Sequence, residues 1–231
     1  MPQISFQPML ESRPIRDIAY EILKHAIITG DIPAGERIVE TEYASKLHIS
    51  RTPLREALRK LERDGLVEYE MRRGVIVRAF TINDVEEIYT IRNAMEMLTL
   101  PAIIEKATPE DIRSLRSKLA AMDELIAKDD VENLSPLTRE FHGQLTAICH
   151  QNRILRVIEG QDEYIRRFSA MAIRQYPRLA EAHKEHYQLV DLVEKKDLEG
   201  FRALTQHHIE TSKQSCLKAL AIQHQTQNRT L

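Results

Sequence analysis

Glycine, aromatic residues and long apolar runs are all scarce in this chain. Seven glycines and 5% aromatic residues, with no tryptophan, among 231 residues fit a soluble, mostly helical protein. The two cysteines, Cys149 and Cys216, form no CxxC pair. They read as buried apolar residues in a reducing, cytoplasmic setting and not as a disulfide framework. No apolar run approaches about 18 residues, so no membrane span is expected. The opening, MPQISFQPML, lacks a basic stretch followed by an apolar one, so no secretory signal is expected either. Catalytic templates are also missing. There is no GxGxxG, no P-loop, no HExxH and no Glu-x-x-His, and no Ser-His-Asp or Cys-His grouping sits in a motif. An enzyme is therefore not the expected class.

Charge is present, and it is unevenly spread. The net charge is -2, yet residues 46–78 hold nine Lys/Arg against five Asp/Glu. A basic segment in a slightly acidic protein fits contact with a polyanion there.

Punctuation along the chain divides it in two. Pro14 opens a helix in which Ile15, Ile18, Ala19, Ile22, Leu23 and Ala26 recur at helical spacing, and TGDIPAGERI ends it. Glu40 to Leu47 reads as a short second helix. HIS is a tight turn, and Ser50 or Thr52 caps a third helix with Pro53 in its first turn and Gly65 at its end. LVEYEM and VIVRAF then read as a β-hairpin around RRG, with Gly74 supplying a positive φ. After Phe80 every segment reads as helix. Starts are expected at Thr81, which has Asp84 three residues on, and at Thr108, Ser135, Asn152, Tyr176 and Asp197. Six helices with short connections suit an antiparallel bundle.

The third helix carries two stripes. At 100° per residue, Arg51, Arg55 and Arg59 fall within about 80° of one another. Leu54, Ala57, Leu58 and Leu61 form an apolar stripe roughly 110° away. A basic stripe is most often a solvated face, and Glu56 is placed to pair with Lys60 or Thr52. Short helix, turn, amphipathic helix and hairpin, however, is the order of a winged helix-turn-helix. There the arginine forks can hold phosphate or guanine edges. Arg72 and Arg73 at the hairpin tip would reach the adjacent minor groove.

The stretch ISRTPLREALRKLERDGLV, preceded by GDIPAGERIVETEYASKL, resembles the signature of the GntR family of bacterial transcription regulators over about 60 residues. The resemblance implies that Arg51, Thr52 and Arg55 contact operator DNA, with Arg59 on the same ridge and Arg72 to Gly74 as the wing. Some members carry arginine in the second helix where this chain has Thr41; Lys46 is the candidate substitute.

Nine histidines are present, among them His142, His183, His186, His207 and His208. One helical histidine is usually a surface or satisfied residue. Several on different helices of a bundle suit zinc, nickel, copper or iron. From DVEEIYTIRNAMEMLTLPAI onward, the second half is similar to the helical effector domain of the FadR subfamily, called FCD. That resemblance implies a divalent metal, zinc or nickel, held by His142, His186 and His208. Thr138 stands where many members have aspartate. It also implies that Arg92 points toward a ligand cavity and a carboxylate effector, the alternative being a salt bridge to Glu96. His183 and His207 fall off the pattern and are expected to face solvent. Pro136 is expected to delay the start of its helix.

The chain thus reads as mainly α: a winged helix-turn-helix of three helices plus a β-hairpin, then an all-α antiparallel helical bundle. The expected divisions are a flexible arm (1–12), a DNA-binding domain (13–79), a linker (80–84), an effector domain (85–223) and a tail (224–231). The expected function is a cytoplasmic, homodimeric regulator, a repressor, that binds double-stranded operator DNA under control of a small acidic metabolite. A regulator answering to the metal itself, or a metal-dependent enzyme on the bundle, are the alternatives.

Overall fold

The computed structural model describes residues 13–79, 81–173 and 179–228. The arm of residues 1–12 and the helix start read at Tyr176 lie outside them. The chain forms two compact units, residues 1–80 and 81–231.

In the first unit, α1 (Ile15–Thr29), α2 (Glu40–Lys46) and α3 (Arg51–Arg63) accompany β1 (Arg37–Ile38), β2 (Val67–Glu70) and β3 (Gly74–Val77). Helix α1 buries Ala19, Tyr20, Leu23, Ile27 and Ile28, while Ile15, Ile18 and Ile22 stay exposed. The expected apolar stripe therefore sits partly on the outer side of the helix. Helix α3 buries Leu54, Ala57, Leu58 and Leu61, each at most 1% exposed. Each of these leucines contributes about 1.5–3 kcal/mol by leaving water. Ser50 occupies the N-cap position, but its side chain makes no capping hydrogen bond. At the other end Gly65 adopts φ +72°. Its N–H donates to Glu62 O at 3.0 Å and that of Leu66 to Leu61 O at 2.9 Å, the paired bonds of a Schellman stop.

The hairpin is part of a three-stranded antiparallel sheet of order β1-β3-β2. Strand β1 is two residues long, too short for an alternating pattern to reveal. It forms because β3 offers it an edge, with Arg37 opposite Ile76 and Ile38 opposite Val75. Gly74 has φ +85°, and Arg72, at the tip, also lies in the left-handed region at +69°.

The second unit comprises α4 (Ile82–Lys106), α5 (Pro109–Ala127), α6 (Val131–Ala147), α7 (Asn152–Ile173), α8 (Leu179–Glu194) and α9 (Leu198–Asn228). Capping boxes open α4 at Thr81 with Asp84 and α5 at Thr108 with Asp111. The first of these starts α4 at Ile82, within residues 80–84. Helix α6 begins at Val131 and not after Ser135. Asp130 accepts from Asn133 N at 3.2 Å and from Asn133 Nδ2 at 2.8 Å, which satisfies the helix start ahead of Ser135. Pro136 is then inside the helix. Helix α9 runs past Ala221 to Asn228, since no glycine or proline interrupts IQHQTQN; residues 224–228, read as tail, are helical. Helix α4 packs on α7 and α9, and α5 packs on α6 and α8. The core between them includes Leu100, Leu115, Leu119, Phe141, Val190 and Phe201. No helix among the described residues is long and apolar enough to cross a membrane.

Candidate nucleic-acid interface and candidate metal centre

Burial of the leucine stripe leaves the other side of α3 outside. Arg51, Thr52, Arg55 and Arg59 are all exposed. Two of the arginines are held in place. Glu40, the first residue of α2, accepts from Arg51 Nη2 at 3.1 Å and from Arg55 Nε at 2.7 Å. Burial raises the Glu40 carboxyl pKa, but the hydrogen bonds and charge of Arg51 and Arg55 outweigh it and hold the pKa below the usual value. Sequence reasoning missed Glu40. Its signal was the tight turn itself, which brings the start of α2 alongside the start of α3.

Glu56 pairs with Arg16 of α1 at 3.3 Å, not with Lys60 or Thr52. Lys60 Nζ instead sits 3.7 Å from the centroid of the Tyr20 ring, and Tyr20 donates to Asp64 at 2.5 Å. One flank of α3 is thereby tied to α1, and the arginine ridge is what α3 presents. Lys46 is exposed and lies over the Tyr43 ring at 4.6 Å. Thr41 is exposed. At the hairpin tip Arg72 and Arg73 are exposed beside Gly74, and Arg73 Nη1 donates to Glu70 at 2.7 Å. Guanidinium forks on one outward ridge, with a second basic tip in the same unit, can take phosphate and base acceptors in pairs.

In the second unit, α6, α8 and α9 bring His142, His186 and His208 together. One nitrogen from each lies within 4.8 Å of the others. His142 Nε2 and His186 Nε2 are 3.1 Å apart, the separation of two nitrogens each bonded to one ion at ~2.0–2.1 Å with an angle near 100°. His208 Nδ1 is bound to Glu185 Oε2 at 2.6 Å, which leaves Nε2 as the ligating atom. Burial drives the His142 pKa well below the usual value, and the neighbouring His186, His208 and Arg92 push it the same way. The neutral imidazole, the form that binds metal, is thus favoured. These residues fit a divalent ion of the kind that imidazole accepts, zinc and nickel among them.

Other expected site residues are placed differently. The Thr138 hydroxyl donates to Leu134 O at 3.0 Å, engaged by its own helix. Arg92 makes the salt bridge to Glu96, Nε to Oε1 at 2.5 Å, with 11% of its side chain exposed. His207 is exposed as expected. His183 is not: it is buried, with Nε2 2.7 Å from Asp123 Oδ1. Residues three apart share a helical face, so His183 follows His186 inward. Asp123 also accepts from Tyr187 at 2.6 Å. The bond from Tyr187 lowers the Asp123 pKa against the opposing effect of burial, with His183 adding to it. The same bond, with burial, pushes Tyr187 up to about 12.

A small cavity of about 20 Å³ adjoins the imidazoles, and its wall includes Glu96, His142, Thr146, Thr205 and His208 beside apolar Leu100 and Phe201. Thr205 is 5% exposed, and its hydroxyl has no hydrogen-bond partner among the described residues.

Comparison with known proteins matches both units. Residues 16–77 match the model for bacterial regulatory proteins of the gntR family, and residues 87–211 match the FCD domain. The chain is 32% identical over 183 residues to an uncharacterized HTH-type transcriptional regulator, YdhC, of Bacillus subtilis, covering 78% of this chain and 81% of that one. It is 30% identical over 176 residues to the Nta operon transcriptional regulator of Aminobacter aminovorans, covering 76% and 82%. Among solved structures, Escherichia coli McbR/YncC superposes with a TM-score of 0.69 at 21% identity, over 93% of this chain and 99% of that one, a likeness of fold.

Proposed function

We propose, for a chain that belongs to the gntR family of bacterial regulatory proteins and carries an FCD domain, a specific course of regulation by a small carboxylate metabolite. As a member of that family the chain is a DNA-binding transcription regulator, and its relatives are regulators, not enzymes. The observation that supports the DNA-binding residues is the exposed ridge of Arg51, Thr52, Arg55 and Arg59, with Arg51 and Arg55 fixed by Glu40. In this reading Arg55 and Arg51 enter the major groove. Lys46 and the helix N-terminus contact phosphate, and Arg72, Arg73 and Gly74 form the wing.

The working species is a cytoplasmic homodimer on two half-sites. What supports dimerisation is α4, where Ile91 and Leu98, seven residues apart, are 40% and 58% exposed. A dimer seated on an operator near its promoter excludes polymerase, so the expected direction is repression.

His142, His186 and His208 hold a divalent ion, zinc or nickel, and Thr138 is the residue nearest in helical register to join them. When bound, the ion supplies a Lewis-acid anchor for the effector carboxylate. The chain's own residues do the rest. Arg92 is the second anchor for the acid, in competition with Glu96, and Thr205 offers a hydroxyl. Helix α4 carries Arg92 and Glu96, and it opens at the Thr81 capping box, the first residues of the second unit. Coupling therefore runs along α4, and the effector acts only through a difference in its affinity for two arrangements of the protein.

The test is a gel shift on DNA upstream of the protein's own gene. A retarded band that dissolves on adding effector is expected; failure at low salt on both short and long fragments contradicts the reading. The grouping of three imidazoles also favours a second reading, in which the ion itself is the signal. Titrating metal against operator affinity without any metabolite separates the two.

A further inference from the structure

The cluster of possible metal ligands is made of three imidazoles and contains no carboxylate among the described residues. Neutral imidazoles supply no charge to offset a dication. An acid does stand one step behind them. Glu185 Oε2 lies 2.6 Å from His208 Nδ1, with 13% of the Glu185 side chain and 7% of the His208 side chain exposed. A carboxylate so far out of water is costly unless its partner makes strong use of it.

We propose that Glu185 is the positioning residue of this centre, fixing the His208 tautomer and supplying the negative charge its ligands lack. The inference rests on reading the three histidines as a metal site.

Helical geometry explains how one helix does both jobs. Glu185 and His186 are consecutive on α8, so their side chains leave the axis about 100° apart. His186 reaches the cluster and Glu185 reaches the back of His208 on α9. With Nδ1–H donated to the carboxylate, Nε2 keeps its lone pair and its aim. The other carboxylate oxygen is 3.6 Å from His207 Nε2, and His207 is 60% exposed, a contact longer than a hydrogen bond. Of the two histidines, His208 is the one within hydrogen-bonding distance.

Zinc affinity of the full-length protein, measured by competition with a chromophoric chelator, tests this. Glu185→Ala should weaken zinc binding by about 10–100-fold. Glu185→Gln, which keeps an acceptor and drops the charge, should fall between that variant and the natural protein. His207→Ala should leave zinc affinity unchanged. Melting temperature without metal is read in parallel, because a merely structural link between α8 and α9 moves it and leaves zinc affinity alone. Unaltered zinc affinity in both Glu185 variants, while His142→Ala loses zinc, overturns the proposal. Equal loss in His207→Ala overturns the route through His208. If the natural protein takes up neither zinc nor nickel, the metal reading falls and this one with it, while a gel shift on the same preparation reports separately on DNA binding.

Discussion

The carboxylate of Glu40 is 2.7 Å from Arg55 Nε, so an exposed arginine of the α3 ridge already has an acidic partner within its own unit. The same carboxylate reaches Arg51. Both arginines are about half exposed, and each such pair contributes roughly 0.2–1 kcal/mol. The pairing holds two forks at a set angle and sets a small threshold that any DNA contact must exceed.

Glu40→Gln should release that hold. Binding to scrambled DNA should tighten more than binding to operator, narrowing the ratio by roughly threefold to fivefold. Fluorescence anisotropy on both duplexes at one stated salt concentration measures it. A ratio that does not move means Glu40 has no part in selectivity.

Removing a ligand should separate the two units' tasks. His142→Ala should abolish stoichiometric zinc or nickel in the purified protein and remove the response of operator binding to effector. Operator affinity without effector should survive. Metal analysis and a gel shift on the same sample check both halves.

The exposed face of α4 makes an oligomeric expectation. Leu98 is 58% exposed, so Leu98→Glu costs the isolated chain little, yet it places a charge at the centre of the proposed interface. Sedimentation should show a shift from dimer toward monomer and, with it, weaker binding to a two-half-site operator. A variant that remains dimeric places the interface elsewhere.

Acid sensitivity follows from the second capping box. The Thr108 hydroxyl and backbone N–H both donate to Asp111. First the hydroxyl and then the N–H lower the Asp111 pKa, outweighing burial, with a smaller lowering by His150. Because the folded value lies below the unfolded ~3.9, this stabilisation is complete above about pH 4 and is lost as pH falls through the folded value. Thr108→Ala should cost about 1 kcal/mol at neutral pH. The gap in melting temperature from the natural protein should shrink in acid; a gap that stays constant with pH refutes the account.

Much of this was legible in the residues. Thr81 and Thr108 announce helix starts because a cap and an acid three residues on satisfy each other locally. Gly65 and Gly74 announce turns because they adopt a positive φ. His142, His186 and His208 were named from their resemblance to a family pattern, and three helices bring them together. Features that depend on distant partners were not legible. Strand β1 exists only because β3 is beside it. Ser135-Pro136 looks like a helix start, but Asp130 and Asn133 open α6 earlier, which a local reading weighs wrongly. Glu56 has suitable partners on its own helix and takes Arg16 of α1 instead. His183 shares a helical face with His186, but the partner that satisfies it once buried, Asp123, is sixty residues away. Glu40 and Glu185 escaped for the same reason, since an acid that orients another side chain carries no motif of its own.

The central claim, that the α3 ridge reads operator DNA, is tested most directly by Arg55→Ala. Equilibrium binding to operator and to scrambled duplex should show a loss of about 1–3 kcal/mol on operator, with a smaller loss on scrambled DNA. Operator affinity equal to that of the natural protein would contradict the account, whatever the histidines hold.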